Sequence, residues 1–138
     1  MHQDVWSRKF CGEGVPDWAA QKNHEDIGHM AFPWPLDDPY EVDENEYPSR
    51  ESCGKHSWPK YHFTQAISSA VGNLYDNKNG LRDKFINFWG EVAKNFKDND
   101  DIIGYELLNE PWCGNIYENP LLIIPGVADK EKLQPMYD

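Results

Sequence analysis

From Phe63 onward the apolar positions fall into a helical rhythm. Phe63, Ala66, Ile67, Ala70, Val71 and Leu74 recur at i, i+3, i+4 and i+7, which predicts a helix with one buried face. The turn residues "DNKNG" at 76–80 end it. A second and stronger helix follows, because Leu81, Phe85, Phe88, Trp89, Val92 and Phe96 share one face while Arg82, Asp83, Lys84, Glu91 and Lys94 occupy the others. "KDNDD" at 97–101 turns the chain again, and "IIGYELLN" at 102–109 reads as a buried strand. Helix, short turn and apolar strand form the αβ half of a βα repeat, so the predicted fold class is α/β.

The first half has no such period. Gly12, Gly14, Pro16, Pro33, Pro35, Pro39, Pro48 and Pro59 interrupt residues 11–60, which predicts a long irregular loop with one short helix. Its acidic stretch, Asp37, Asp38, Glu41, Asp43, Glu44 and Glu46, reads as a solvated face, since the spacing matches no calcium-binding loop. One strand and two amphipathic helices do not bury each other's apolar surface. A loop of roughly 50 residues is also out of proportion to so small a domain. The expectation is therefore a piece of a larger α/β domain. The abrupt "MHQDV" opening and the trailing "PLLIIPGVADKEKLQPMYD" point the same way.

Charge narrows the partners. Acidic groups outnumber basic ones 24 to 13, for a formal charge of −11, and such a surface repels a phosphate backbone. No apolar run is long enough to span a bilayer, and no signal-peptide pattern opens the chain, a point that counts only if Met1 is a true start. Six Trp and seven Tyr serve mostly packing, with a minority suited to stacking on sugar rings. Cys11, Cys53 and Cys113 fit either one disulfide with a leftover thiol, as in a secreted protein, or three free thiols. His24, His29, His56 and His62, with Cys53 near His56, follow no structural zinc spacing, so no metal is expected. Neither a Gly-x-Ser-x-Gly elbow nor a GxGxxG loop occurs.

The chemistry concentrates in "GYELLNEPW", residues 104–112. In parallel α/β barrels, functional side chains stand at the carboxyl ends of strands. A Glu110 placed there points into a cleft, where partial burial raises a carboxyl pKa as a general acid requires. Asn109 is an uncharged donor and acceptor beside it, and Pro111 ends the ladder.

"GYELLNEPWCGN" resembles the acid/base strand of glycoside hydrolase family 5, in particular its endoglycoceramidase branch. "MHQDVWSRKFCGEGVPDW" is similar to the third-strand motif of the same group, Asp-Met-His-Gln-Asp with a Gly-x-Gly-x-Pro-x-Trp tail. The Asp of that motif would stand one position before Met1. The resemblance implies a fragment of a TIM (β/α)8 barrel holding the end of strand 3, its long βα loop at 11–60, helix 3 and strand 4, with residues 1–138 as a partial catalytic barrel. It implies Glu110 as general acid/base, Asn109 on the 2-hydroxyl of the sugar at the scissile bond, and His2 as an active-site histidine. Asp4 would support the rim, and Trp58 is the candidate sugar-stacking aromatic, with loop packing as its plain alternative.

The implied reaction is retaining hydrolysis of the bond between oligosaccharide and ceramide in a glycosphingolipid, with no cofactor. Retaining enzymes need two carboxyl groups about 5–5.5 Å apart. Glu118 and Glu131 stand in polar, loop-like surroundings, so the nucleophile is expected outside this chain and the chain alone is expected to be inactive. The implied setting is secreted or lysosomal, with a membrane surface reached through the substrate and no nucleic acid. The alternatives are a family 5 β-glucosidase or glucanase acting on glucosylceramide, a steryl glucoside or a β-glucan, and a sugar-binding relic without catalysis.

Overall fold

The computed structural model describes residues 1–20 and 31–138. Two single helical turns, α1 (Arg50–Cys53) and α2 (Trp58–Tyr61), precede the longer helices α3 (Gln65–Tyr75) and α4 (Leu81–Phe96). A π-helical turn at Asp129–Leu133 leads into a last turn, α5 (Gln134–Tyr137).

α3 is the middle of the core. It begins after Thr64, whose backbone is extended and whose hydroxyl donates to the Tyr61 carbonyl at 2.7 Å. Ile67, Ala70, Val71 and Leu74 are buried as the period predicts, but Ser68, Ser69, Asn73 and Tyr75 are buried as well. The helix is thus covered nearly all round rather than along one stripe. Phe63 falls outside it and is about half exposed.

The turn before α4 uses its sequence directly. Asn77 and Asn79 both take φ 54° and Gly80 takes φ 69°, left-handed values that Asn and Gly adopt most readily. α4 then spans the expected residues, yet its apolar face is not buried. Only Leu81 is in the core, while Phe88 and Phe96 are 53% and 46% exposed. A helix of this pattern needs a second layer over its stripe; among the described residues its Leu81 end meets the core and Trp89 meets the Tyr105 ring edge-on at 6.1 Å.

The expected buried strand at 102–109 is likewise absent as a strand. Residues 102–106 are exposed, Ile103 completely, and Leu108 alone is buried. A strand of a parallel sheet is buried only when neighbours cover both edges and both faces. Among the described residues this segment has one backbone neighbour, Met1. The Met1 nitrogen donates to the Glu106 and Leu107 carbonyls at 2.7 and 3.1 Å, and the Asn109 N–H donates to the Met1 carbonyl at 2.9 Å. The bonds to Leu107 and Asn109 are those of a parallel pair with Met1 opposite Leu108.

The described part of 11–60 holds α1, α2 and an isolated antiparallel bridge between Val42 and Pro48. It is well packed. Phe32 lies 5.4–5.7 Å from the rings of Phe10, Tyr40 and Tyr61, and all four are buried. The cysteines resolve into a Cys11–Cys53 disulfide and a half-buried free Cys113. Among the described residues no helix is long and apolar enough to cross a membrane.

Candidate active site

The pairing of residue 1 with residue 108 brings two motifs together. Gln3 locks them. Its side chain is buried, its amide nitrogen donates to the Asn109 carbonyl at 2.8 Å and the Glu110 carbonyl at 3.1 Å, and its oxygen accepts from the Trp6 N–H at 3.0 Å. Both turns it holds are conformationally unusual. Glu110 has φ 38°, and Val5 and Trp6 have φ 54° and 71°, a region that disfavours non-glycine residues.

Two glycines allow the approach. A Cβ on Gly12 would lie 2.0 Å from the Asp4 carbonyl oxygen, and one on Gly14 would lie 2.5 Å from the Gln3 Cβ. The Gly-x-Gly that follows the His-Gln-Asp segment is therefore needed for the antiparallel bridge of Asp4 to Glu13.

Each residue singled out from sequence has a definite place. His2 is exposed, with Nε2 3.2 Å from an Asp4 carboxylate oxygen. Asn109 is half-buried, and its side-chain nitrogen donates to the Gln3 carbonyl at 3.3 Å. Glu110 is exposed in this chain, where the sequence pattern predicts partial burial. Trp58 opens α2 and is 48% exposed, with its ring edge-on to His62 at 6.0 Å. The structure thus joins the His2–Asp4 segment to Asn109 and Glu110 through Met1 and Gln3, and among the described residues Trp58 meets His62.

His62 in turn meets Trp112. Their rings stack with centroids 5.2 Å apart and planes 24° apart, and Phe63 meets Trp112 edge-on at 5.0 Å. Trp112 is fixed at both ends: its indole N–H donates to the Ser68 hydroxyl at 3.3 Å, and its carbonyl accepts from the Tyr75 hydroxyl at 2.6 Å. Burial of Tyr75 raises its phenol pKa well above the ordinary value, so it stays a donor. Burial lowers the His62 pKa, and the negative charges of Asp4 and Glu110 oppose that shift. Sequence reasoning gave Gln3 and His62 no part in the site. Their one available signal was position, between His2 and Asp4 for Gln3 and just beyond Trp58 for His62.

For a metal, His2, Asp4 and Glu13 offer ligand atoms within 4.8 Å of one another. Carboxylates gather this way on many exposed surfaces, and no ion is assigned to them. His24 and His29 lie outside the described residues. His56 sits 3.7 Å from Asp37, and the Cys53 sulfur is consumed by its disulfide.

Residues 54–135 match the family described as Cellulase (glycosyl hydrolase family 5). The whole chain is 51% identical over 139 aligned residues to an endoglycoceramidase of Hydra vulgaris, of which it covers 26%. It is 49% identical over 139 residues to one of Cyanea nozakii, covering 27% of it. An endoglycoceramidase I of Rhodococcus hoagii (strain 103S) is 25% identical over 114 residues, which is 83% of this chain and 18% of that protein. The chain spans about a quarter of the length of the first two relatives. The match to the family carries with it the TIM-barrel class, of which the described residues present helices and one parallel backbone pairing. On its sequence match and on the meeting of its two motifs, the chain belongs to glycosyl hydrolase family 5.

Proposed function

We propose that the protein bearing this chain is a retaining glycoside hydrolase that cleaves the β-glycosidic bond between oligosaccharide and ceramide in glycosphingolipids. The observation that carries the reading is the parallel pairing of Met1 with Leu108, which sets the His2–Asp4 segment beside Asn109 and Glu110. Similarity along the whole chain to proteins named endoglycoceramidase supports the substrate class.

In this reading residues 1–138 are part of a catalytic barrel. Residues 1–3 end its third strand, 11–60 form the long loop after it, α3 and α4 make the third helical layer, and 102–109 are the fourth strand. The uncovered apolar face of α4 and the exposed Ile102 and Ile103 suit packing against further barrel elements.

Glu110 is the general acid/base. A carboxylate outside this chain attacks the anomeric carbon while Glu110 gives its proton to the departing ceramide oxygen. The glycosyl–carboxylate ester forms as the glycosidic C–O bond breaks. Glu110, now a carboxylate, then takes a proton from water, whose oxygen displaces the ester and releases the sugar with its configuration retained. Asn109 binds the 2-hydroxyl, His2 contacts the same sugar, Asp4 holds His2 through their 3.2 Å contact, and the open face of Trp58 stacks on sugar. The mechanism uses no cofactor. A disulfide between Cys11 and Cys53 supports an oxidising setting, secreted or lysosomal.

The family-wide match over 54–135 favours one second reading, a β-glucosidase or glucanase. Incubating the full-length protein with a glycosphingolipid bearing a fluorescent acyl chain, and separately with a β-glucan, distinguishes them. Release of free ceramide together with intact oligosaccharide is expected, and it should vanish in Glu110→Gln. Hydrolysis of the glucan alone would move the assignment to the second reading. The isolated 138-residue chain is expected to release neither product.

A further inference from the structure

We propose that His62 is a positioning residue of this site: stacked on Trp112, two residues beyond Glu110, it holds the Glu110 turn and places a proton-dependent charge opposite Asp4 and Glu110. Its catalytic consequence rests on the acid/base reading of Glu110, while its electrostatic coupling does not.

The imidazole is held by faces and edges rather than by hydrogen bonds. Trp112 covers one face, Trp58 meets it edge-on, and Nδ1 is buried without a hydrogen-bond partner. Stacking of this kind fixes a ring orientation without consuming a proton. Because Trp112 is itself anchored to Ser68 and Tyr75 of α3, the stack ties the end of α2 to the helix core through the segment that follows Glu110. Loss of the ring would free the Trp112 indole on that side, and with it the Glu110–Pro111 turn.

Charge acts on the same ring from two other segments. Asp4 comes from the His-Gln-Asp turn and Glu110 from the Asn-Glu-Pro turn, and both favour the imidazolium. Against them stands burial, together with the N–H that protonation would place on unpartnered Nδ1. The consequence runs in one direction. Removing either carboxylate therefore disfavours the imidazolium.

Residue-resolved exchange of the histidine C2 hydrogen, followed by mass spectrometry across pH, reads the His62 titration in the full-length protein. Glu110→Gln and Asp4→Asn should each lower its midpoint by about 0.2 to 0.7 pH unit, the range of partly exposed ion pairs. A midpoint unmoved by both overturns the coupling. For the catalytic consequence, His62→Phe keeps an aromatic face and removes the charge, whereas His62→Ala removes both. The phenylalanine variant should retain more of the plateau rate than the alanine variant. Equal losses in both variants overturn the positioning role. A wild-type protein with no turnover on glycosphingolipid would instead count against the hydrolase reading, and the exchange midpoints would still decide the coupling.

Discussion

Replacing Gln3 by leucine tests whether the two motifs are locked by one side chain. The substitution keeps volume roughly constant and removes every polar contact. Two donated hydrogen bonds, to the Asn109 and Glu110 carbonyls, and one accepted from the Trp6 N–H disappear together. At about 1 kcal/mol net for each bond, the loss is about 3 kcal/mol. The buried Trp6 backbone, left without its acceptor, adds part of a desolvation penalty of about 1–3 kcal/mol, and the gain from burying an apolar leucine offsets some of it. The expected total is about 3 kcal/mol, read as a lower denaturant midpoint at unchanged slope in the full-length protein. Turnover should fall further than stability explains. Glu110 at φ 38° is held in a region that costs about 1–3 kcal/mol, and the freed turn relaxes away from it. On the acid/base reading of Glu110, a misplacement of about 1 Å costs about 10²-fold in rate. Gln3→Glu should be similarly damaging at neutral pH, because a carboxylate would face two carbonyls, and should recover partly in acid as its hydroxyl regains one donor. Wild-type stability in Gln3→Leu would refute the locking role.

Three further outcomes are expected. Cys11→Ser with Cys53→Ser opens a link across 42 residues and should lower stability by about 4 kcal/mol, with dithiothreitol reproducing the effect on the wild type; no change under either treatment would mean that other contacts order the loop. Gly12→Ala puts a Cβ 2.0 Å from a backbone oxygen and should cost about 2 kcal/mol or more in thermal melts, an expectation contradicted by an unshifted melting temperature. Because burial lowers the His62 pKa in the folded state, the unfolded chain takes up the proton first as pH falls. Stability from this group is complete above the ordinary histidine value of about 6.5 and declines below it. His62→Phe should flatten that decline in denaturation series between about pH 7.5 and 5, and an unchanged slope would exclude His62 as its source.

The parts of the fold legible in the sequence were those written locally. α4 spans the predicted residues because its period, and the Asn77, Asn79 and Gly80 that start it, act within one or two turns of chain. The fate of its apolar face was not legible, since burial depends on a neighbouring layer rather than on the pattern itself. The same holds for 102–109, where an apolar run promised a buried strand and Met1 is the one backbone neighbour among the described residues. At the candidate site, Asn109 and Glu110 stood out because their residue types interrupt an apolar stretch. Gln3 did not, for its contacts lie more than a hundred residues away and leave no periodic trace. His62 did not either, because the Trp112 ring that stacks on it lies fifty residues along the chain.

The most direct test of the assignment is the leaving-group dependence of Glu110→Ala in the full-length protein. A ceramide alkoxide departs slowly without a proton, whereas an acidic dinitrophenol departs without help. The variant should therefore lose about 10²- to 10⁴-fold on a glycosphingolipid. On a dinitrophenyl glycoside it should still show a fast first release of phenol, and added azide should trap a glycosyl azide of retained configuration. Equal loss on both substrates with no azide product, or full activity on the glycolipid, would show that Glu110 is not the acid/base.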